Sequence, residues 1–170
     1  MLFSSFPFLF VLLPLALVGY FSLGRFHKKA ALLYLVTVSL VYYAWWNPKY
    51  IFLMLASLVV NFIAYRCIIS SKGIGRKAAL TLGLFFNIAL IFYYKYANFF
   101  AENMNTLVGT SMTFEKLILP LGISFFTFQQ IAFLIDGYKG EVESCEVLDY
   151  SLYITFFPQL IAGPIVHHKE

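Results

Sequence analysis

LPLGISFFTFQQIAFLIDGYKGE, residues 119–141, is a long apolar run carrying polar side chains that a helix facing lipid on all sides would avoid. Pro120 suits the first turn of a helix, where its missing N–H leaves no bond unmade, and Asp136-Gly137 reads as a stop. Between them lie about 16 residues, roughly 24 Å of helix, which is near the lower limit for crossing a hydrocarbon core about 30 Å thick. Ser124, Thr127 and Gln130 recur at a spacing of three on one side of that helix, and Gln129 widens the polar sector. Such side chains belong against other helices. Two readings follow: the amides are interhelical hydrogen-bond glue, or they line a polar tunnel.

The rest of the chain is of the same character. Hydrophobic residues make up 61% of it and charged residues 12%, the latter about half the share of an average soluble domain. Residues 1–170 are therefore read as one all-α membrane domain, a polytopic transmembrane helical bundle in a lipid bilayer. Twenty Phe and twelve Tyr suit rings packed between helices and set at the two interfaces. The net charge of +4 comes from cations placed beside apolar spans, with no basic face, which favours positive-inside topology over a nucleic-acid partner. Cys67 and Cys145 lack CxxC spacing and companion ligands, so neither a metal site nor a disulfide framework is expected.

Taken in order, Phe3–Leu23 is a first span, interrupted by Pro7 and Pro14 and followed by Arg25, His27, Lys28 and Lys29. Positive charge after the apolar core, with none before it, is the reverse of a signal peptide, so the span is read as retained and bent near Pro14. Ala30–Trp46 is a second span, and Trp45-Trp46-Asn47-Pro48 turns it tightly into a third, Tyr50–Ile69, an antiparallel hairpin with Asn61 facing a neighbouring helix. Arg66, Lys72, Arg76 and Lys77 mark a second basic loop. Its Gly73-Ile74-Gly75 lacks the context of a phosphate loop and reads as a flexible connection. Ala78–Tyr94 is a fourth span centred on Asn87 and closed by an interfacial belt, Tyr93-Tyr94-Lys95-Tyr96. Asn98–Lys116 is too polar to cross and is read as an extracellular segment, partly an interfacial helix.

Beyond the opening stretch, Gly137–Asp149 carries Lys139, Glu141, Glu143, Glu146 and Asp149. Nothing separates the pKa values of these carboxylates, so a solvated loop is expected in preference to an acid–base pair. Asp149 is placed to cap the segment Tyr150–Val166, where Pro158 and then Gly163-Pro164 interrupt the helix. A broken or re-entrant C-terminal element is expected, its freed backbone groups buried in protein or lining a wet cavity. Gln159 beside the break joins Ser124, Thr127, Gln129 and Gln130 as a candidate tunnel or helix-packing residue. Pro120, Gly122, Pro158, Gly163 and Pro164 are the expected structural breaks.

Together, Leu119-Pro120-Leu121-Gly122-Ile123-Ser124-Phe125, the Phe128-Gln129 step, Asp136, and Phe156-Phe157-Pro158-Gln159-Leu160 running into Ala162-Gly163-Pro164-Ile165 resemble the membrane-bound O-acyltransferase family, in its alginate O-acetylation branch. The first four spans are similar in layout and share the Trp45-Trp46-Asn47-Pro48 turn. The resemblance implies an enzyme of the cytoplasmic (inner) membrane that moves an acyl group, usually acetyl, from a cytoplasmic-side thioester such as acetyl-CoA to a hydroxyl of an extracytoplasmic polysaccharide such as alginate. It implies no stably bound cofactor, and periplasmic or extracellular acetylation proteins as partners. It further implies a catalytic histidine in a later transmembrane region, outside these 170 residues. The chain is accordingly expected to be the N-terminal part of a longer acyltransferase (a truncated product, a gene fragment or half of a split protein) and to transfer nothing alone.

Of its own histidines, His27 sits in a cationic loop, and His167 and His168 stand at the chain end, so no catalytic residue is assigned. The alternative is a non-enzymatic membrane scaffold, or part of a polysaccharide or lipid transporter, which would use Asn61, Asn87, Gln129, Gln130 and the Pro158 break equally well. Alternation of basic and weakly charged loops places the N-terminus outside. In a background lacking Cys67 and Cys145, single cysteines at positions 47 and 102 should react with an impermeant reagent from the outer face, and those at 28 and 77 should be shielded. The reverse labelling would overturn this topology.

Overall fold

Hydrocarbon cannot satisfy a peptide group, so a chain of this composition must bond its backbone within its own elements. The computed structural model describes residues 5–97, 99–100, 103, 106 and 119–162, and among them the elements are all helical. A wide π-helical turn, Phe8–Leu12, leads into α1 (Leu13–Gly24); α2 is Lys28–Trp46, α3 Lys49–Ser70 and α4 Gly73–Ile91, which continues through a second π-helical turn, Phe92–Tyr96. Further along the chain come α5 (Ile123–Lys139), α6 (Val147–Thr155) and α7 (Phe157–Ala162). Three stretches, Lys28–Trp46, Lys49–Ser70 and Gly73–Tyr96, are long and apolar enough to cross a membrane.

The distribution of side chains is that of a bundle in lipid. Phe52, Ile63, Leu82 and Phe85 are exposed on the outer surface, whereas Asn61, Asn87, Thr127 and Gln130 are fully buried. A water-soluble bundle would reverse that placement. Two helix groups share the interior. α3, α4 and α5 pack together, and α2 packs chiefly against α1 and α6. The main core joins Met54, Tyr65, Phe126, Phe133 and Leu134 to Tyr150 and Ile154 of α6, while a smaller one gathers Phe8, Ala16, Tyr42 and Phe157. The turn Asn47-Pro48 is as tight as expected, but the arms of its hairpin diverge and α6 connects the two groups.

Several local expectations are corrected. α5 begins at Ile123, after Pro120, because Gly122 takes the left-handed conformation (φ 65°) and sets the helix start behind it. It runs through Asp136-Gly137 to Lys139 and stops at Gly140 (φ 82°), a conformation that costs glycine little. Gly73-Ile74-Gly75 is the first turn of α4, following an extended Lys72. Pro14 lies in the first turn of α1, and the irregularity is taken up by the π-helical turn ahead of it. Asp149 sits inside the first turn of α6, and Glu146 holds the cap position. The C-terminal element is broken as expected, but at Phe156 (ψ 108°), with Pro158 already in the first turn of α7 where proline is tolerated. Gly163, Pro164, His167, His168 and most of Asn98–Lys116 lie outside the described residues.

Close helix contacts rest on missing side chains. A Cβ on Gly83 of α4 would come within 2.7 Å of Leu134 Cδ1 on α5, and one on Gly137 within 2.9 Å of the Tyr65 ring on α3. Arg76 of α4 completes the junction by donating from Nη2 to the carbonyls of Gly137 (3.2 Å) and Tyr138 (2.5 Å) in the last turn of α5, the former also accepting from the Gly140 N–H (3.2 Å). Gly83→Val should therefore force α4 and α5 apart and cost about 1–3 kcal/mol. Gly75→Ala, whose Cβ meets only ordinary contacts, should leave stability unchanged or raise it slightly. Thermal unfolding in detergent reads both, and equal melting for Gly83→Val and the parent would contradict the close packing.

Candidate functional site

Where α3, α4 and α5 meet, near mid-helix, four polar side chains with no exposure face one another: Ser57, Asn61, Asn87 and Gln130. Ser57 and Asn61 are one turn apart and so share a face of α3. Gln130 Oε1 accepts from Ser57 Oγ (2.8 Å) and from Asn61 Nδ2 (3.0 Å). Asn61 Nδ2 also reaches the Ser57 carbonyl (3.0 Å) and Asn87 Oδ1 (3.3 Å). In return Asn87 Nδ2 donates to Asn61 Oδ1 and to the Gly83 carbonyl (2.8 Å). Asn61 and Asn87 thus form a reciprocal amide pair across two helices, with Gln130 joining from the third.

Tyrosines border this network. The Tyr150 hydroxyl of α6 lies close to the Gln130 amide, but neither it nor Gln130 Nε2 finds a well-directed hydrogen bond among the described residues. Tyr65, one turn along from Asn61, packs its ring at a tilt against Phe133 (centroids 4.7 Å apart), and Phe133 in turn against Tyr150 (4.7 Å). The network is closed on this side by aromatic rings.

Of the polar set expected on α5, only Gln130 enters the network. Thr127 is buried but turns its hydroxyl to the Ile123 carbonyl of its own helix. Gln129 is 4% exposed and makes none of the network's hydrogen bonds, while Ser124 is half-buried near the helix start. Gln159 stands on α7, outside the network, beside the break where the Phe157 N–H donates to Ser39 Oγ (3.4 Å). Asn61 faces a neighbouring helix as expected, and Asn87, at the middle of its span, meets it there. Ser57 was not singled out, although its i, i+4 relation to Asn61 in an apolar span was the signal available.

Chemically, amides and a hydroxyl bonded in this way can hold helices or orient a substrate atom, but they carry no proton that titrates near neutral pH and no activated nucleophile. Among the described residues no three His, Cys, Asp or Glu come together as metal ligands. In the loop before α6, burial and then the Asp149 carboxylate push the Cys145 thiol up, away from thiolate chemistry. Asn61→Leu and Asn87→Leu should each destabilise by leaving the other amide unpaired, and the double variant should cost less than the sum by about 0.5–2 kcal/mol. Strictly additive losses in detergent unfolding would show that the two amides do not interact.

The whole chain matches curated O-acetylating proteins. It is 39% identical to the peptidoglycan O-acetyltransferase of Helicobacter pylori, with all of this chain and 38% of that protein aligned. It is 34% identical to the probable alginate O-acetylase AlgI of Pseudomonas aeruginosa and 36% identical to that of Azotobacter vinelandii, again over the whole chain and covering 34% and 35% of those proteins. The chain thus spans about a third of the length of the curated relatives it matches. No family model and no solved structure matches it. With the Leu119–Phe125 and Phe156–Ile165 signatures and these whole-chain matches together, the chain belongs to the membrane-bound O-acyltransferase family, in the branch that holds the alginate O-acetylases.

Proposed function

We propose that this chain is the N-terminal portion of a membrane-bound O-acyltransferase that transfers an acetyl group to hydroxyls of an extracytoplasmic polysaccharide such as alginate. The observation that carries the reading is the match of every part of the chain to proteins named for acetylating peptidoglycan and alginate. What those two acceptors share is a polysaccharide hydroxyl. The donor in this reading is a thioester such as acetyl-CoA, approaching the basic ends of the helices, where cationic loops attract an anion. The protein sits in the cytoplasmic membrane with its N-terminus outside, and periplasmic or extracellular acetylation proteins work beside it.

In this proposal the described helices are the frame of the enzyme. Gln130 belongs to that frame, since its carbonyl already accepts two hydrogen bonds. Gln129, buried but outside the network, is the amide better placed to serve a substrate path. A chimera tests both points: this chain replaces the matching third of the Pseudomonas aeruginosa alginate O-acetylase, and base-labile acetate on secreted alginate is measured. Acetylation within about tenfold of the parent is expected, a barrier change of no more than about 1.4 kcal/mol. A chimera present in the membrane at parental abundance that yields no acetate would favour the non-enzymatic scaffold instead. Within an active chimera, Gln130→Leu should lower acetate only as far as it lowers folded protein, and Gln129→Leu should lower acetate per folded molecule.

A further inference from the structure

Between α1, α2 and the start of α7 runs an apolar cavity of about 340 Å³, with Leu13, Leu17, Leu35, Phe157 and Pro158 among its walls. Toward the C-terminal end of α1 it adjoins a second cavity of about 490 Å³, Tyr20 and Phe21 lining both. The second is different in kind: its remaining walls are Gly24, Ala31 and two cations, Arg25 and Lys28, with no acidic side chain. Two other cations are engaged within the protein, Lys29 with Glu146 at 2.8 Å and Arg76, on α4, with the α5 carbonyls. Arg25 and Lys28 make no ion pair among the described residues.

We infer that this two-part groove binds an anionic phospholipid, its phosphate between Arg25 and Lys28 and an acyl chain lying along α1 toward Phe157. The lengths agree. From Gly24 back to Leu13 is roughly 16 Å of helix, about the depth of one leaflet of a hydrocarbon core about 30 Å thick. The order of the walls agrees as well, polar cations at the end of the helix and aliphatic or aromatic side chains inward of them. A free phosphate would have no use for the apolar arm. A zwitterionic lipid would bring its own cation against Arg25 and Lys28. The break at Phe156 gives the groove its floor, because it turns Phe157 and Pro158 across the end of the acyl path.

The 170-residue chain, reconstituted in vesicles of equal phosphatidylglycerol and phosphatidylcholine and then extracted in mild detergent, is examined by native mass spectrometry for retained lipid. Each basic residue near an anionic headgroup gives about a fivefold preference, so roughly 25-fold enrichment of phosphatidylglycerol is expected. Arg25→Gln/Lys28→Gln should bring the ratio close to one, whereas Lys29→Gln, whose cation is already paired, should leave it high. Leu17→Trp, at a position 49% exposed and so tolerant of bulk, should fill the apolar arm and lower retention severalfold. Excess inorganic phosphate should displace nothing. Equal retention of the two lipids by the parent, an unchanged ratio in a helical Arg25→Gln/Lys28→Gln variant, unchanged retention in Leu17→Trp, or displacement by phosphate would each overturn the assignment.

Discussion

Hydrocarbon offers an amide no partner, and this constraint determines how the helices are arranged. Asn61, Asn87 and Gln130 cannot face lipid without losing their hydrogen bonds, so the helices that carry them must meet, and at one depth. That meeting fixes the register of α3 against α4 and of α5 against both. The same constraint acts at the helix ends, where Arg76 supplies donors to the last carbonyls of α5. Gly83 and Gly137 then let the backbones approach closely enough for these short side chains to reach one another. Polar pairing sets which helices touch, and small residues set how near they come.

Much of this was legible in the chain. Apolar runs bounded by basic clusters or by Trp45-Trp46-Asn47-Pro48 mark α2, α3 and α4 to within a few residues, because burial in lipid is a property of composition and length; the first run, by contrast, yields a shorter apolar helix, Phe8–Gly24. The need of Asn61, Asn87 and Gln130 for helix partners was equally legible, since an isolated amide in an apolar span has no alternative. Which amide pairs with which was not, because that depends on the relative rotation of three helices. Helix ends were misplaced where local signals compete. Asp136-Gly137 resembles a stop, but Gly137 is helical, with the Tyr65 ring where a Cβ would stand, and the left-handed Gly140 ends the helix instead. Pro158 marks the C-terminal break, which falls just ahead of it at Phe156 (ψ 108°), so that the proline opens the next helix.

The chemistry of the network makes it a steady junction. Amides stay neutral across the physiological range, so hydrogen bonds between them do not depend on pH. An ionisable residue at the same depth would be costly and would respond to every charged group passing nearby. A neutral junction gives a frame whose geometry is insensitive to what it holds.

The divergence of α2 from α3 has a consequence for how the molecule is made. Their shared turn emerges early, yet the wedge between them is occupied by α6, about a hundred residues later in the chain. Phe62 and Phe133 present rings to Tyr150, and Ser39 presents its hydroxyl to the Phe157 N–H, only once that late element arrives. The union of the two groups therefore rests on contacts of high sequence separation, and a chain made from its N-terminus cannot form them before α6 has been synthesised.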